Sequence, residues 1–124
     1  MAIPSTYRFN INTLSCHSAS IGTTPIPAML RVPFRCQVLK LTGVAVTSIS
    51  AADCSVSIAS YTSGTATAIT TLTLAVANAD AGQVNSVVPG AVTVLQEDDV
   101  IKFIPSGATG TNTPGTFTAV LRAF

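Results

Sequence analysis

Charge is what this chain has least of. Asp, Glu, Lys and Arg together make up 9% of its 124 residues, where about a quarter is usual for a soluble domain. The six cations, Arg8, Arg31, Arg35, Lys40, Lys102 and Arg122, are scattered, and the net charge is only +1. No basic stripe exists, so the phosphate footprint of a nucleic-acid binder is missing. Tryptophan is absent and aromatic residues account for 6%, which leaves few rings for a sugar-stacking platform. No apolar run is long enough to cross a membrane as a helix. The stretch Met1–Phe9 has neither a basic n-region nor an apolar h-region, so it does not read as a secretory signal. The cysteines Cys16, Cys36 and Cys54 are odd in number and irregularly spaced. They read as reduced thiols of a cytosol-made protein, acting as small core residues. A bridge between Cys36 and Cys54 would need their strands to be neighbours.

What the chain has instead is apolar and hydroxyl-bearing residues. Hydrophobic residues reach 48%, and a surface so poor in charge is weakly insulated against association. The plain alternative is a soluble β domain with hydroxyls in place of charges. The length fits one domain with one core. No 3.6-residue period persists beyond a turn, whereas alternation and β-branched residues recur between Gly, Pro, Asn and Asp. Residues 1–6 read as a flexible arm and 7–124 as a single domain. Tyr7–Leu14 alternates Tyr7, Phe9 and Ile11 against Arg8, Asn10 and Asn12, and a polar loop is expected over Ser15–Pro27.

Further strands are expected at Ala28–Val32, Arg35–Ile49, Cys54–Tyr61, Ala68–Val76, Gln83–Val88, Val100–Ile104 and Thr116–Phe124, with Val92–Leu95 read as either a strand or an extended loop. The phase change at Thr42-Gly43 predicts a β-bulge there. Thr62–Thr67, which holds Gly64, reads as a hairpin connection, and Phe34, after the strand-bending Pro33, is expected to plug one end of the core. About eight strands in two antiparallel sheets, packed face to face, satisfy this pattern.

Chemistry is thin. Cys16 and His17 are adjacent, and adjacent residues of an extended chain point to opposite faces, so they do not form a nucleophile–base pair. Glu97, Asp98 and Asp99 are consecutive, without the spaced ligands of a calcium loop. Turn formation through Asx side chains is the simpler account. The pairs Thr71/Thr73 and Thr116/Thr118 lack the long repetition of an ice-binding array and fit cross-strand packing. No catalytic residue, metal site or cofactor is expected.

The order of these features resembles the jelly-roll proteins of tailed-bacteriophage virions. The matching elements are Pro33-Phe34 entering a long strand, Leu95–Ile101 with its acidic turn before Val100-Ile101, the Gly/Thr-rich 107–115, and Thr116–Leu121. The acidic turn carries Glu-Asp-Asp where the pattern usually has Gly-Asp. The resemblance implies an eight-stranded jelly-roll β-sandwich and a non-enzymatic virion protein made in the host cytoplasm. That protein would decorate or cement a capsid, assembling as a homotrimer with the major capsid protein or another virion component as partner, and with no nucleic acid or membrane involved. The assembly surface so implied involves Ile3, Pro4, Tyr7, Arg8, Asn10 and Asn12. The alternative is a fibre-tip or baseplate module binding host glycans, for which Tyr7 and Tyr61 are the only tyrosines.

Overall fold

The structure, a computed structural model, describes residues 11–22, 24–46, 49, 53–75, 83–106 and 113–124. The described chain is all-β. Its strands are β1 (Ile11–Ser18), β2 (Ala28–Arg31), β3 (Cys36–Ala45), β4 (Cys54–Thr62), β5 (Thr65–Leu74), β6 (Val84–Val87), β7 (Val94–Leu95), β8 (Val100–Ser106) and β9 (Gly115–Ala123). They form two antiparallel sheets. One has the order β1-β9-β3-β6, with β7 also on β3; the other has the order β2-β8-β4-β5.

The sheets pack face to face because each strand keeps one apolar parity. In β9, Phe117, Ala119 and Leu121 are fully buried, with Thr116, Thr118 and Val120 on the other face. In β4 the inward residues are Cys54, Val56 and Ile58, and in β5 they are Leu72 and Leu74. The centre of the core is the stack of Phe103 from β8 on Phe117 from β9, with ring centroids 4.9 Å apart. Full burial of a side chain of this size is worth about 1.5–3 kcal/mol relative to exposure. β8, apolar on both faces, lies between β2 and β4, as its composition predicts.

Several expectations are corrected. The strand near the N-terminus runs on through Ser15–Ser18, where a loop is expected, because those residues pair with Gly115–Thr118. The phase of this strand is also reversed. Ile11 is exposed, while Leu14 and Cys16 pack against the core. In β3 the bulge falls at Leu39, where the pairing with β9 shifts between Val38 and Lys40. Gly43 is instead an inward position in regular pairing with Phe117. The ninth strand segment arises on the free edge of β3. There β6 pairs with Leu41–Val44 and β7 with Cys36-Gln37, so one strand direction is interrupted by residues 88–93. Phe34 is half-buried against the core rather than sealed within it. The β4–β5 hairpin is closed by Ser63 (φ 49°) and Gly64 (φ 84°) alone, so Thr62 and Thr65–Thr67, expected in the connection, pair as strand residues. Two successive positive φ values give a turn whose twist matches the strands it joins. The arm at residues 1–6 lies outside the described residues.

Candidate assembly surface

One end of the sandwich collects the β2–β3 link, the β7–β8 turn, the β4–β5 hairpin and the last residues of β9. Most of the charge gathers there. Arg31 meets Asp98 through Nη2 at 2.6 Å and donates from Nε to the same oxygen at 2.8 Å. Asp98 holds a positive φ of 70°. Its N–H donates to the Val32 carbonyl at 2.8 Å, and the Val32 N–H donates to the Asp99 carbonyl at 2.8 Å. Asp99 is the buried member of the acidic turn. It accepts from the Thr62 hydroxyl at 2.9 Å and from the Gln96 N–H at 2.9 Å. The carboxylate therefore ties the turn before β8 to the end of β4, bonding back to the third residue before it rather than two residues on as in the expected Asx-turn. Nearby, the guanidinium of Arg35 sits 5.1 Å from the Phe124 ring centroid and that of Arg122 6.0 Å from it. Arg122 also donates to Gln37 at 2.7 Å. Among the described residues, Asp53 is the charged residue at the opposite end.

Asp99 also borders a groove of about 380 Å³. One wall is the outer edge strand, with Thr67, Ala68 and Ile69 of β5; the other is the interruption between β6 and β7, with Val92, Thr93 and Val94. Ser60 and Thr62 of β4 line it beside Asp99. The groove exists because the two sheets close only over the second half of β5. Leu72 and Leu74 are buried there, whereas Thr65–Ala68 is exposed throughout. β5 pairs with β4 alone among the described strands, so its other edge is unpaired along ten residues without a charge or a proline. Such an edge is a template for another strand.

The outer faces of the two sheets are poor in charge. On the four-stranded sheet, Arg31, Val100, Tyr61 and Ala66 form one cross-strand row, and Met29, Lys102, Ala59 and Ala68 form the next. A depression of about 360 Å³ lies among Met29, Tyr61, Val100 and Lys102, and the Lys102 ammonium stands 5.3 Å from the Tyr61 ring centroid. On the other sheet, Ser15, Thr118, Thr42 and Ser86 make a row of hydroxyls, with Ser15 and Thr118 in contact at 3.1 Å. This is cross-strand hydroxyl packing as expected for Thr116/Thr118.

Of the residues implicated by sequence, Ile3, Pro4, Tyr7, Arg8 and Asn10 lie outside the described residues. Asn12 is described. It is half-buried in β1, opposite Leu121, on the face that also carries Leu14 and Cys16. It therefore belongs to the inward side of the strand rather than to a solvated polar face. Cys16 turns toward the core and His17 toward solvent, where its Nδ1 lies 3.5 Å from the Thr116 hydroxyl. Burial pushes the thiols of Cys16 and Cys36 up to about 11, helped at Cys36 by the nearby Asp99 charge. Burial raises Cys54 too, against a hydrogen bond from the Ser106 backbone. All three cysteines are free thiols, and Cys36 and Cys54 lie in different sheets. The residues missed by sequence reading are Thr62, Thr67 and Asp99 as a group. The acidic turn was a visible signal for Asp99, but nothing local showed which of its three acids would be buried. No protein-family model matches the sequence, and no curated protein matches it.

Proposed function

We propose that this protein is a non-enzymatic structural component of a tailed-bacteriophage virion, a jelly-roll protein that decorates or cements the capsid as a homotrimer. The observation that carries the reading is the strand order. Each sheet interleaves early and late strands, β1-β9-β3-β6 in one and β2-β8-β4-β5 in the other. With β6 and β7 taken as one interrupted strand, four strands per sheet result, as in two intertwined Greek keys. The low charge of both outer faces and the unpaired edge of β5 support association with further chains. The mechanism is mass action: a protein that binds only the assembled shell stabilises it by RT ln(1 + [L]/Kd). Its location would be the virion, after synthesis in the host cytoplasm, and its partners would be its own copies and the major capsid protein.

The depression beside Tyr61 favours one other reading, a fibre-tip or baseplate module that holds a host glycan against that ring. Antibody labelling of particles of the encoding phage, viewed by electron microscopy, separates the two. Labels over the head surface are the expected result. Labels confined to the tail tip would favour the glycan-binding module, and particles without label would remove the virion assignment.

A further inference from the structure

We infer that the groove between β5 and the β6–β7 interruption receives residues 7–10 of a neighbouring copy, laid as an added strand along the free edge of β5. The inference rests on the oligomer reading above and names the contact that would close the ring. Asp99 is the one charged residue bordering the groove, and Arg8 is the one charged side chain in the segment ahead of Ile11. The buried carboxylate has two donors, Thr62 and Gln96, and each of its oxygens has capacity for a further one. Alternation does the rest. A strand that aims Arg8 into the groove puts Tyr7 and Phe9 on the outer face of the sheet. That face continues there as Ala66 and Ala68, two exposed small residues that offer room for rings.

The donor must be another copy. β1 stands over β2 at one side of the sandwich, and β5 lies at the other. Residues 7–10 are tethered to Ile11 by at most about 14 Å of extended chain. The outer flank of β5 is four strand spacings across from β2, about 19 Å. A segment leaving one edge and entering the opposite edge of the next copy is a heterologous contact, which closes into a cyclic oligomer when the rotation permits.

Cross-linking of the full chain tests this. Chains carrying Arg8→Cys are mixed with chains carrying Thr67→Cys, and a short bismaleimide is added at neutral pH, where the native thiols are protonated and slow to react. The expected product is a covalent pair made of one chain of each kind. In parallel, Arg8→Glu is expected to weaken association roughly tenfold or more, and so is Ala68→Arg, an exposed substitution on the outer face that takes the room offered to the Tyr7 and Phe9 rings without touching the core. A stable oligomer with no mixed cross-link and no response to either charge change would overturn the inference and leave the oligomer reading standing. A cross-link formed only within a double-variant chain would overturn the exchange between copies. A monomer at every concentration would remove both.

Discussion

Gly43 is a residue at which one added methyl group would meet two packed side chains. A Cβ there would stand 2.9 Å from Leu72 Cδ2 and 3.2 Å from the Phe117 ring. Both neighbours are buried and fully packed. Gly43→Ala is therefore expected to destabilise the fold by about 1–3 kcal/mol, the usual cost of overpacking. Gly90, where a Cβ meets nothing within 4 Å, is the control. Gly90→Ala should change urea-unfolding stability little, or raise it slightly by restricting the unfolded chain. Equal losses at both positions would mean that the contact at Gly43 is not what keeps it glycine.

The cysteines make a second prediction at this scale. The thiols of Cys16 and Cys36 are raised from an ordinary 9.0 to about 11. Below about pH 9 they are neutral in the folded and unfolded chain alike, and their contribution is constant. Between about 9 and about 11 the unfolded thiols ionise while the folded ones keep their protons. Unfolding then releases protons, so stability falls as pH rises through that window. The thermal midpoint should drop across it, and Cys16→Ala should shallow the drop. An unchanged slope in that variant would show that Cys16 does not contribute.

At the level of the element, the turn before β8 contains two acid interactions of very different worth. Asp99 is buried and accepts from Thr62 and Gln96. Asp99→Ala should cost about 2–3 kcal/mol, because it removes the charged acceptor of both the Gln96 N–H and the Thr62 hydroxyl. The Arg31–Asp98 pair is shorter, at 2.6 Å, but both side chains are about two-thirds exposed. Water and side-chain entropy offset nearly all of its attraction, so Arg31→Ala should cost less than about 1 kcal/mol. Denaturant titrations of the two variants check the ranking, which a larger loss in Arg31→Ala would reverse. The same scale explains the bulges. β3 inserts Leu39 against β9, and β5 inserts Ile69 against β4, where Ile58 faces Thr70 and Ala59 faces Ala68. Each insertion shifts the inward parity by one residue and bends its strand. In β5 the bulge coincides with the passage from the buried half to the exposed half that walls the groove.

For the whole molecule, the imbalance between charge and apolar surface sets the expected behaviour. Met29, Val84, Val88, Val92 and Phe124 are all more than 60% exposed, on a chain with few charges to hold copies apart. Sedimentation at micromolar concentration should show a compact oligomer of three chains; a monomer at every concentration would end the trimer reading while leaving the sandwich intact. Removing residues 2–6 should leave the thermal midpoint of the isolated protein nearly unchanged and weaken its oligomer or its hold on the particle. Unaltered assembly after that deletion would take residues 2–6 out of the interface.

The alternation of apolar and hydroxyl residues determined by itself that the chain is all-β; it placed the inward positions of β4, separated the two faces of β9 and marked β8, apolar on both faces, as central. A hairpin around Gly64 and a turn at the acidic triplet were legible too, because the positive φ at Gly64 and Asp98 is a local demand that Gly and Asp meet. Three things were decided only in the tertiary structure: the phase of β1, the position of the bulge in β3, and the groove. Ile11 and Asn12 could each have faced inward on pattern alone. The choice fell to Asn12, because register with β9 fixes the whole strand through Leu14, Cys16 and Ser18 at once. Gly43 looked like a bulge residue and proved to be a close-packing residue, since the atoms that crowd it come from β5 and β9, far away in sequence. The groove at Asp99 joins β4, β5 and the β6–β7 interruption, and no stretch of sequence contains it. Local pattern sets which side of a strand can be buried, but which strands meet, and where they fail to close, depends on non-local packing that no single segment encodes.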